Sequence, residues 1–370
     1  MRLALVLLLV ARQRRRRQRA RVRLLVLLRL RMLNKERNYL ASSSLIAPMT
    51  STWHGIHATR DRGSFIATVS LPYEAFSELL DVFSRHYVVK SGLGKPGRPP
   101  TFVVKHAVLA CVLHYYTAPV EQKTLCELFG VPPSTLCRVM GHAERALDAT
   151  LREIGAAAVR YPSKQQQLEW AAMVEEREPL LAGVWGFVDG KNYRVMSPSD
   201  SDLQNAQYNG WLHSVLVTGT LCYGVDGTVV WARHNCPGSW NDGETSRKLQ
   251  EKLLDLAITA DGTGLVADSA FPVGKALFGR IRTPLKDGEL ERADAACRVG
   301  LMAMDNAIKS IRQAAEWGMG ATEKCYRRLL LPLPFDPPLR GLRLRNIYRL
   351  YNFRTRRTGI SQIRSVFFQK

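Results

Sequence analysis

"VWGFVDG", Val184 to Gly190, runs five mostly apolar residues suited to a buried strand straight into an aspartate and a glycine. An unpaired ionised carboxylate costs several kcal/mol to bury, so an acid ending such a run faces water, a partner or a cation. Asp-Gly alone also opens ordinary turns. The same grammar recurs in "GLVADSAF", Gly264 to Phe271, where Leu265, Val266 and Ala267 lead into Asp268. Between the two aspartates, "WLHSVLVTGTLCY" at 211–223 and "GTVVWARHN" at 227–235 are rich in strand-forming residues. Asp226-Gly227 separates them as a hairpin turn, unlike Asp189 and Asp268.

Beyond Asp268 the period changes. From Ala293 to Leu331 there is no proline, and Ala303, Ala307, Ile311, Ala315 and Met319 recur at helical spacing. Glu316 lies there, four residues after Arg312. On a helix those two side chains are neighbours and can form a simple surface ion pair. The wider order is strand-Asp, strands, strand-Asp, helix-Glu. Carboxylates gathered this way suit divalent Mg2+ or Mn2+, which prefer oxygen ligands. Two such ions about 3.5 to 4 Å apart activate a water or 3′-hydroxyl and stabilise the leaving oxygen, which is phosphodiester chemistry.

Several motifs appear in order: "GFVDG" at 186–190, "QYNGWLHSVLVTG" at 207–219, "CPGSWNDGE" at 236–244, "VADSAFP" at 266–272, "IRQAAEWGMG" at 311–320 and "LYNFRTRRTGISQIRSVF" at 350–367. Through them, residues from about Gly183 to Phe368 resemble the DDE endonuclease domain of PIF/Harbinger-type transposases, a family that includes the Harbinger transposase-derived nuclease. The resemblance implies an α/β, ribonuclease H-like DDE catalytic domain, a mixed sheet flanked by helices, preceded by a mainly helical, helix-turn-helix-like domain. It also implies Asp189, Asp268 and Glu316 as catalytic, metal-binding acids. Rivals for the third position are Glu323, then Asp294 and Asp305. The family's proline-glycine-serine segment ending in an acid falls on Pro237, Gly238, Ser239 and Asp242; before "GETSRKLQEKLLDL", Asp242 reads as a helix cap, with a metal ligand as the alternative. Tyr208, Asn209, Gly210 and His213 match a further family segment and read as strand packing, with substrate contact as the alternative. Lys324 and Arg327 depart from the family's tighter spacing after the glutamate, and the interval from Phe278 to Ala293 is short and charged. A separate Myb-like DNA-binding partner and a homo-oligomer on DNA are further implications of the resemblance.

The 370 residues carry a formal net charge of +21, unevenly placed. Residues 1–40 hold thirteen Lys or Arg and one Glu, 324–370 hold twelve and one Asp, and the interval 41–323 is left at −2. Basic ends of this kind contact phosphate backbone or form solvated faces. At the C-terminal end Arg354, Arg356 and Arg357 interleave with Tyr351 and Phe353, a mixture suited to nucleic acid. Double-stranded DNA is the expected partner. The expected divisions are a basic, flexible arm at 1–65, the helical region at 66–160 and the DDE endonuclease domain at 181–368.

"MRLALVLLLVA" has the start of a signal peptide, but eight arginines follow between 12 and 23 without a cleavage site. They read as a nuclear-localisation or DNA-contacting arm, which places the protein in the nucleus. A signal anchor or membrane association is the alternative. In the helical region, "LPYEAFSELLDVF" has helical spacing, "GKPGRPP" at 94–100 is a linker, and "TLCELFGVPPSTLCRVM" at 124–140 reads as helix, turn at Phe129-Gly130, and a helix capped by Ser134 or Thr135. Arg138 on that second helix is a candidate DNA contact.

Other chemistries fit less well. The seven cysteines include no Cys-x-x-Cys pair, and no phosphate-cradling Gly-x-x-x-x-Gly-Lys loop is present. An aspartate-nucleophile phosphatase needs a second acid where Lys191 stands. His54 and His57 read as surface residues. The expectation is a metal-dependent DNA nuclease or transposase; a domesticated, catalytically silent DNA-binding protein and a membrane-associated basic protein are the alternatives.

Overall fold

The computed structural model describes residues 2–33, 40–89 and 101–368, so the "GKPGRPP" linker lies outside the described residues. The chain divides into two units, Met1–Ser44 and Leu45–Lys370. The first is built on one helix, α1 (Arg2–Leu33), whose arginines from 12 to 29 are exposed. Among the described residues, no helix is long and apolar enough to cross a membrane.

The second unit begins with helices α2 (Thr52–Thr59), α3 (Arg62–Val69), α4 (Tyr73–His86), α5 (Lys105–Thr117), α6 (Gln122–Phe129), α7 (Pro133–Glu153) and α8 (Lys164–Arg177). Helices α2 and α3 come from the stretch expected to be arm, yet Trp53 and Phe65 are fully buried and pack with Phe76. Large aromatics bury about 1.5–3 kcal/mol each, enough to draw this segment into the helical core. His54 and His57 go with it. They are half-buried, His57 stacks on His106 at 3.9 Å, and Trp53 Nε1 donates to His106 Nδ1 at 3.0 Å, so a surface reading of these histidines does not hold.

The turn between α6 and α7 falls at Gly130, which closes α6 in the left-handed conformation. Helix α7 starts at Pro133, with Pro132 as its cap residue. Ser134 and Thr135, expected as caps, lie inside the first turn instead, because proline's fixed φ already sets the entry.

The sheet follows: β1 (Val184–Arg194), helix α9 (Ser201–Gln207), β2 (Tyr208–Asn209), β3 (Ser214–Gly224), β4 (Val229–Pro237), helix α10 (Asp242–Leu254), β5 (Gly264–Val266) and β6 (Ile281–Arg282). Helices α11 (Glu289–Arg292), α12 (Arg298–Cys325), α13 (Pro337–Thr358) and α14 (Gln362–Phe367) complete the unit. Strand order is β2-β3-β1-β5-β6, with β4 on β3. The first strands pair antiparallel, whereas β1, β5 and β6 are parallel. The result is a mixed α/β architecture, a mixed sheet flanked by helices, compatible with a DDE nuclease domain.

Two close approaches set the helices against this sheet. A side chain at Gly318 would meet the Tyr223 ring at 2.7 Å, so only glycine lets α12 lie this near β3. Helix α13 packs on α7 and β4. Its apolar face, Leu344, Ile347, Tyr348, Leu350, Tyr351 and Phe353, is buried.

Candidate active site

Strand β1 does not end at Asp189. It runs five residues further, because Gly190 to Arg194 keep their register with Thr220 to Leu216 of β3. What ends at Asp189 is burial: Val184 to Val188 are buried, and Asp189, Gly190 and Lys191 are intermediate. The apolar run therefore marks where the strand leaves the core, while the partner strand holds the backbone extended beyond it.

Strand β5 places the second aspartate. Phe187 of β1 is level with Val266 of β5 in parallel register. Two residues on from each lie Asp189, still on β1, and Asp268, just past the end of β5 and close enough for its charge to act on Asp189. Beyond Val266 the backbone leaves the ladder, with Phe271 N–H donating to Asp268 O at 3.1 Å.

A third carboxylate joins them, and it is not the one the sequence favours. Asn241 caps α10, its side chain accepting from Glu244 N–H at 2.9 Å, so Asp242 is not the cap. A Cβ placed on Gly190 would stand 2.5 Å from Asp242 Oδ1, so that carboxylate lies directly against the backbone beside Asp189. Burial and then the nearby Asp268 raise the Asp242 carboxyl above its ordinary 3.8. The signal available in the sequence was the asparagine at 241, a good cap that leaves the next acid free.

Burial pushes the Asp189 carboxyl up to about 6; the Gly190 N–H at 2.8 Å and the Arg312 guanidinium oppose this, and Asp268 and Asp242 add to it. A raised folded value means that the native state loses stability as pH climbs from about 4 through about 6. Above that range the cost is complete, and the difference from 3.8 corresponds to roughly 3 kcal/mol. In EDTA at pH 8, Asp189→Asn is therefore expected to be more stable than the parent by up to about 3 kcal/mol. Urea melts from pH 4 to 8 test this; a variant no more stable at pH 8 than the parent would refute it.

Glu316 lies on α12 and is half exposed, its side chain at 50%. Arg312 Nη2 binds it at 2.8 Å, and Arg312 Nη1 reaches Asp189 at 3.9 Å. The (i, i+4) pair expected as a surface contact thus links the helix acid to the strand acid through one guanidinium. Glu323, seven residues on, binds Lys191 at 2.6 Å. Of the weaker rivals, Asp305 accepts from Leu285 N–H and pairs with Lys309, and Asp294 accepts from Ala296 N–H. Both acids organise the approach to α12.

As the side chains sit, no group of three or more His, Cys, Asp or Glu among the described residues could hold a metal ion. The donor chemistry nevertheless suits a hard cation: Asp189, Asp242 and Asp268 crowd together with oxygen atoms only, and burial and mutual repulsion raise the Asp189 and Asp242 carboxyls.

The other candidate contacts are distributed differently. Arg354 is buried and donates to Ser70 O at 3.0 Å, Arg356 donates to Ala156 O and Ala158 O at 2.8 and 3.0 Å, and Arg357 forks onto Glu78 at 2.7 and 2.5 Å. These three tie α13 to the helical layer. Arg138 is exposed on α7, its Nε donating only to Ser134 O at 3.1 Å. Asn209 accepts from the Trp211 and Leu212 N–H groups and donates to Gly238 O, shaping the turn into β3.

No curated protein and no solved structure matches the chain. Residues 188–347, from the strand that carries Asp189 to the middle of α13, match the family model described as the DDE superfamily endonuclease.

Proposed function

We propose that the protein is a metal-dependent DNA endonuclease of transposase type, resembling the PIF/Harbinger group, with Asp189, Asp268 and Glu316 as its acids and Asp242 beside them. The observation that carries this reading is the approach of Asp268, just past the end of β5, and Asp242 to Asp189 on β1, inside the matched segment. The catalytic domain is taken as ribonuclease H-like, and α6–α7 as its helix-turn-helix-like companion.

When bound, Mg2+ or Mn2+ would supply an activated water and charge stabilisation on the leaving oxygen by the two-metal route. The chain's own part is to hold Asp189, Asp242 and Asp268 together as an oxygen cluster, one from β1, one from just past β5 and one from the first turn of α10. Arg312 holds Glu316 and lies beside the Asp189 carboxylate. A DNA substrate, a Myb-like partner, a homo-oligomer on DNA and nuclear localisation through the α1 arginines belong to the same proposal.

The test is conversion of supercoiled plasmid to open circle by the purified full chain with Mg2+ or Mn2+. Nicking that EDTA abolishes is the expected result. DNA retention without nicking, in either metal and with nuclear extract added, would instead favour a silent DNA-binding protein, a reading that the Arg312–Glu316 pair favours.

A further inference from the structure

Along α7 and α13 the second unit carries a run of arginines that lies outside the acid cluster. Arg138, Arg145 and Arg152 are seven residues apart on α7, so they fall on one face at intervals of about 10 Å. All three are exposed. Arg138 and Arg145 engage only neighbours on their own helix, Ser134 O at 3.1 Å and His142 Nδ1 at 3.4 Å.

At the end of the stripe α13 adds two more. Asp148 is buried beneath Arg152, Arg345 and Arg349, the latter two at 3.7 and 3.9 Å from its Oδ1. Neither Arg345 Nε nor Arg349 Nη1 has a hydrogen-bond partner, although both atoms are buried. One carboxylate offers about four acceptor sites to three guanidiniums with five N–H donors each. Asp148 Oδ1 is itself without a hydrogen bond, so the guanidiniums crowd this carboxylate without being matched to it. Burial lowers the Arg349 pKa, and repulsion from Arg152 and Arg345 adds to this against the pull of Asp148. A second anion would relieve that repulsion.

We propose that the α7–α13 seam binds the backbone of duplex DNA, with Arg138, Arg145, Arg152, Arg345 and Arg349 as phosphate contacts. This rests on reading the protein as acting on DNA, and it gives that substrate a track outside the acid cluster. Five guanidiniums against one carboxylate match a polyanion, and the regular spacing along a helix suits an extended one rather than a single small ion. Arginine forks onto phosphate oxygens in pairs, which suits the exposed guanidiniums of Arg138, Arg145 and Arg152. The seam also joins the helix after the Gly130 turn to a helix of the matched segment, so one DNA molecule would touch both.

The experiment is fluorescence-anisotropy titration of the full chain with a 30-base-pair duplex in EDTA, from 50 to 300 mM salt, with Mg2+-dependent plasmid nicking measured in parallel. Each phosphate contact steepens the log–log salt slope by roughly 0.9. Arg138→Ala/Arg145→Ala should flatten it by about 1.8, and Arg345→Gln/Arg349→Gln by a similar amount. The control pair Lys164→Ala/Arg177→Ala, exposed on α8, should leave it unchanged. If loss of Arg345 and Arg349 over buried Asp148 prevents folding, the exposed Arg138/Arg145 pair still decides the matter.

An unchanged slope in that pair, or an equal change in the control, would overturn the proposal. So would competition by single-stranded RNA or phosphatidylserine vesicles as effective as that by duplex at equal phosphate concentration. Nicking with an unchanged slope would leave the endonuclease reading standing without this track. A flattened slope in a protein that never nicks would leave the track without the endonuclease.

Discussion

Asp268→Asn should reduce plasmid nicking by at least about a hundredfold while leaving the affinity for duplex DNA within twofold of the parent. Loss of even the outer partners of a metal ligand typically costs 10–100-fold, so removal of a direct oxygen donor sets that range as a floor. The side chain is nearly isosteric, and Asp268 follows a strand whose Leu265 and Val266 are fully buried, so folding should survive. The informative companions are Asp242→Asn and Asn241→Ala. If Asp242 belongs to the acid cluster, its substitution should cost cleavage to a similar degree with little change in melting temperature. Asn241→Ala removes the cap of α10 and should cost about 1 kcal/mol of stability with cleavage largely kept. Full nicking by Asp242→Asn would return that residue to a structural role; full nicking by Asp268→Asn would remove the catalytic reading of the strand aspartates altogether.

The second large effect lies far from that chemistry in the sequence. Glu144 on α7 has a side chain only 1% exposed, and it accepts from Arg343 of α13 at 2.7 and 3.2 Å and from the Tyr116 hydroxyl at 3.1 Å. Asn346 completes the junction by donating to Glu144 O at 3.0 Å. Removing one member of a buried pair leaves an uncompensated charge, which costs about 3–5 kcal/mol. Arg343→Met should therefore lower stability by that amount in urea melts. The double variant Arg343→Met/Glu144→Gln should recover a good part of it, because the stranded charge is gone. A single variant within about 1 kcal/mol of the parent would show that the pair is solvated.

These two regions differ in how far they could be read beforehand. The order of strands and the long helix bearing Glu316 were legible because apolar periodicity of 2 and 3.6 is written locally. The turn at Asp226-Gly227 was legible for the same reason: Gly227 takes φ +79 between β3 and β4. Arg354, Arg356 and Arg357 were read as a basic nucleic-acid surface, and here local reading stops. Whether an arginine meets phosphate or a carbonyl depends on which helix packs over it, and Ser70, Ala158 and Glu78 lie 198 residues or more away from the arginines they meet. The same applies to Trp53 and His57, which look like arm and fold as core.

The sequence by itself determined the strands around the two aspartates, the long helix that bears Glu316, the aspartates standing where apolar runs meet solvent, and the unbalanced charge, since each depends on neighbours within a few positions. Only the tertiary structure decided that β1 continues past Asp189, that Asp242 rather than Asn241 turns toward it, and that Arg312 joins Asp189 to Glu316. It also turned the C-terminal arginines partly inward, to carbonyls and acids of the helical layer. Each of these depends on register, helix approach or the match of one buried donor to one distant acceptor, and such pairings become defined only when the chain closes on itself.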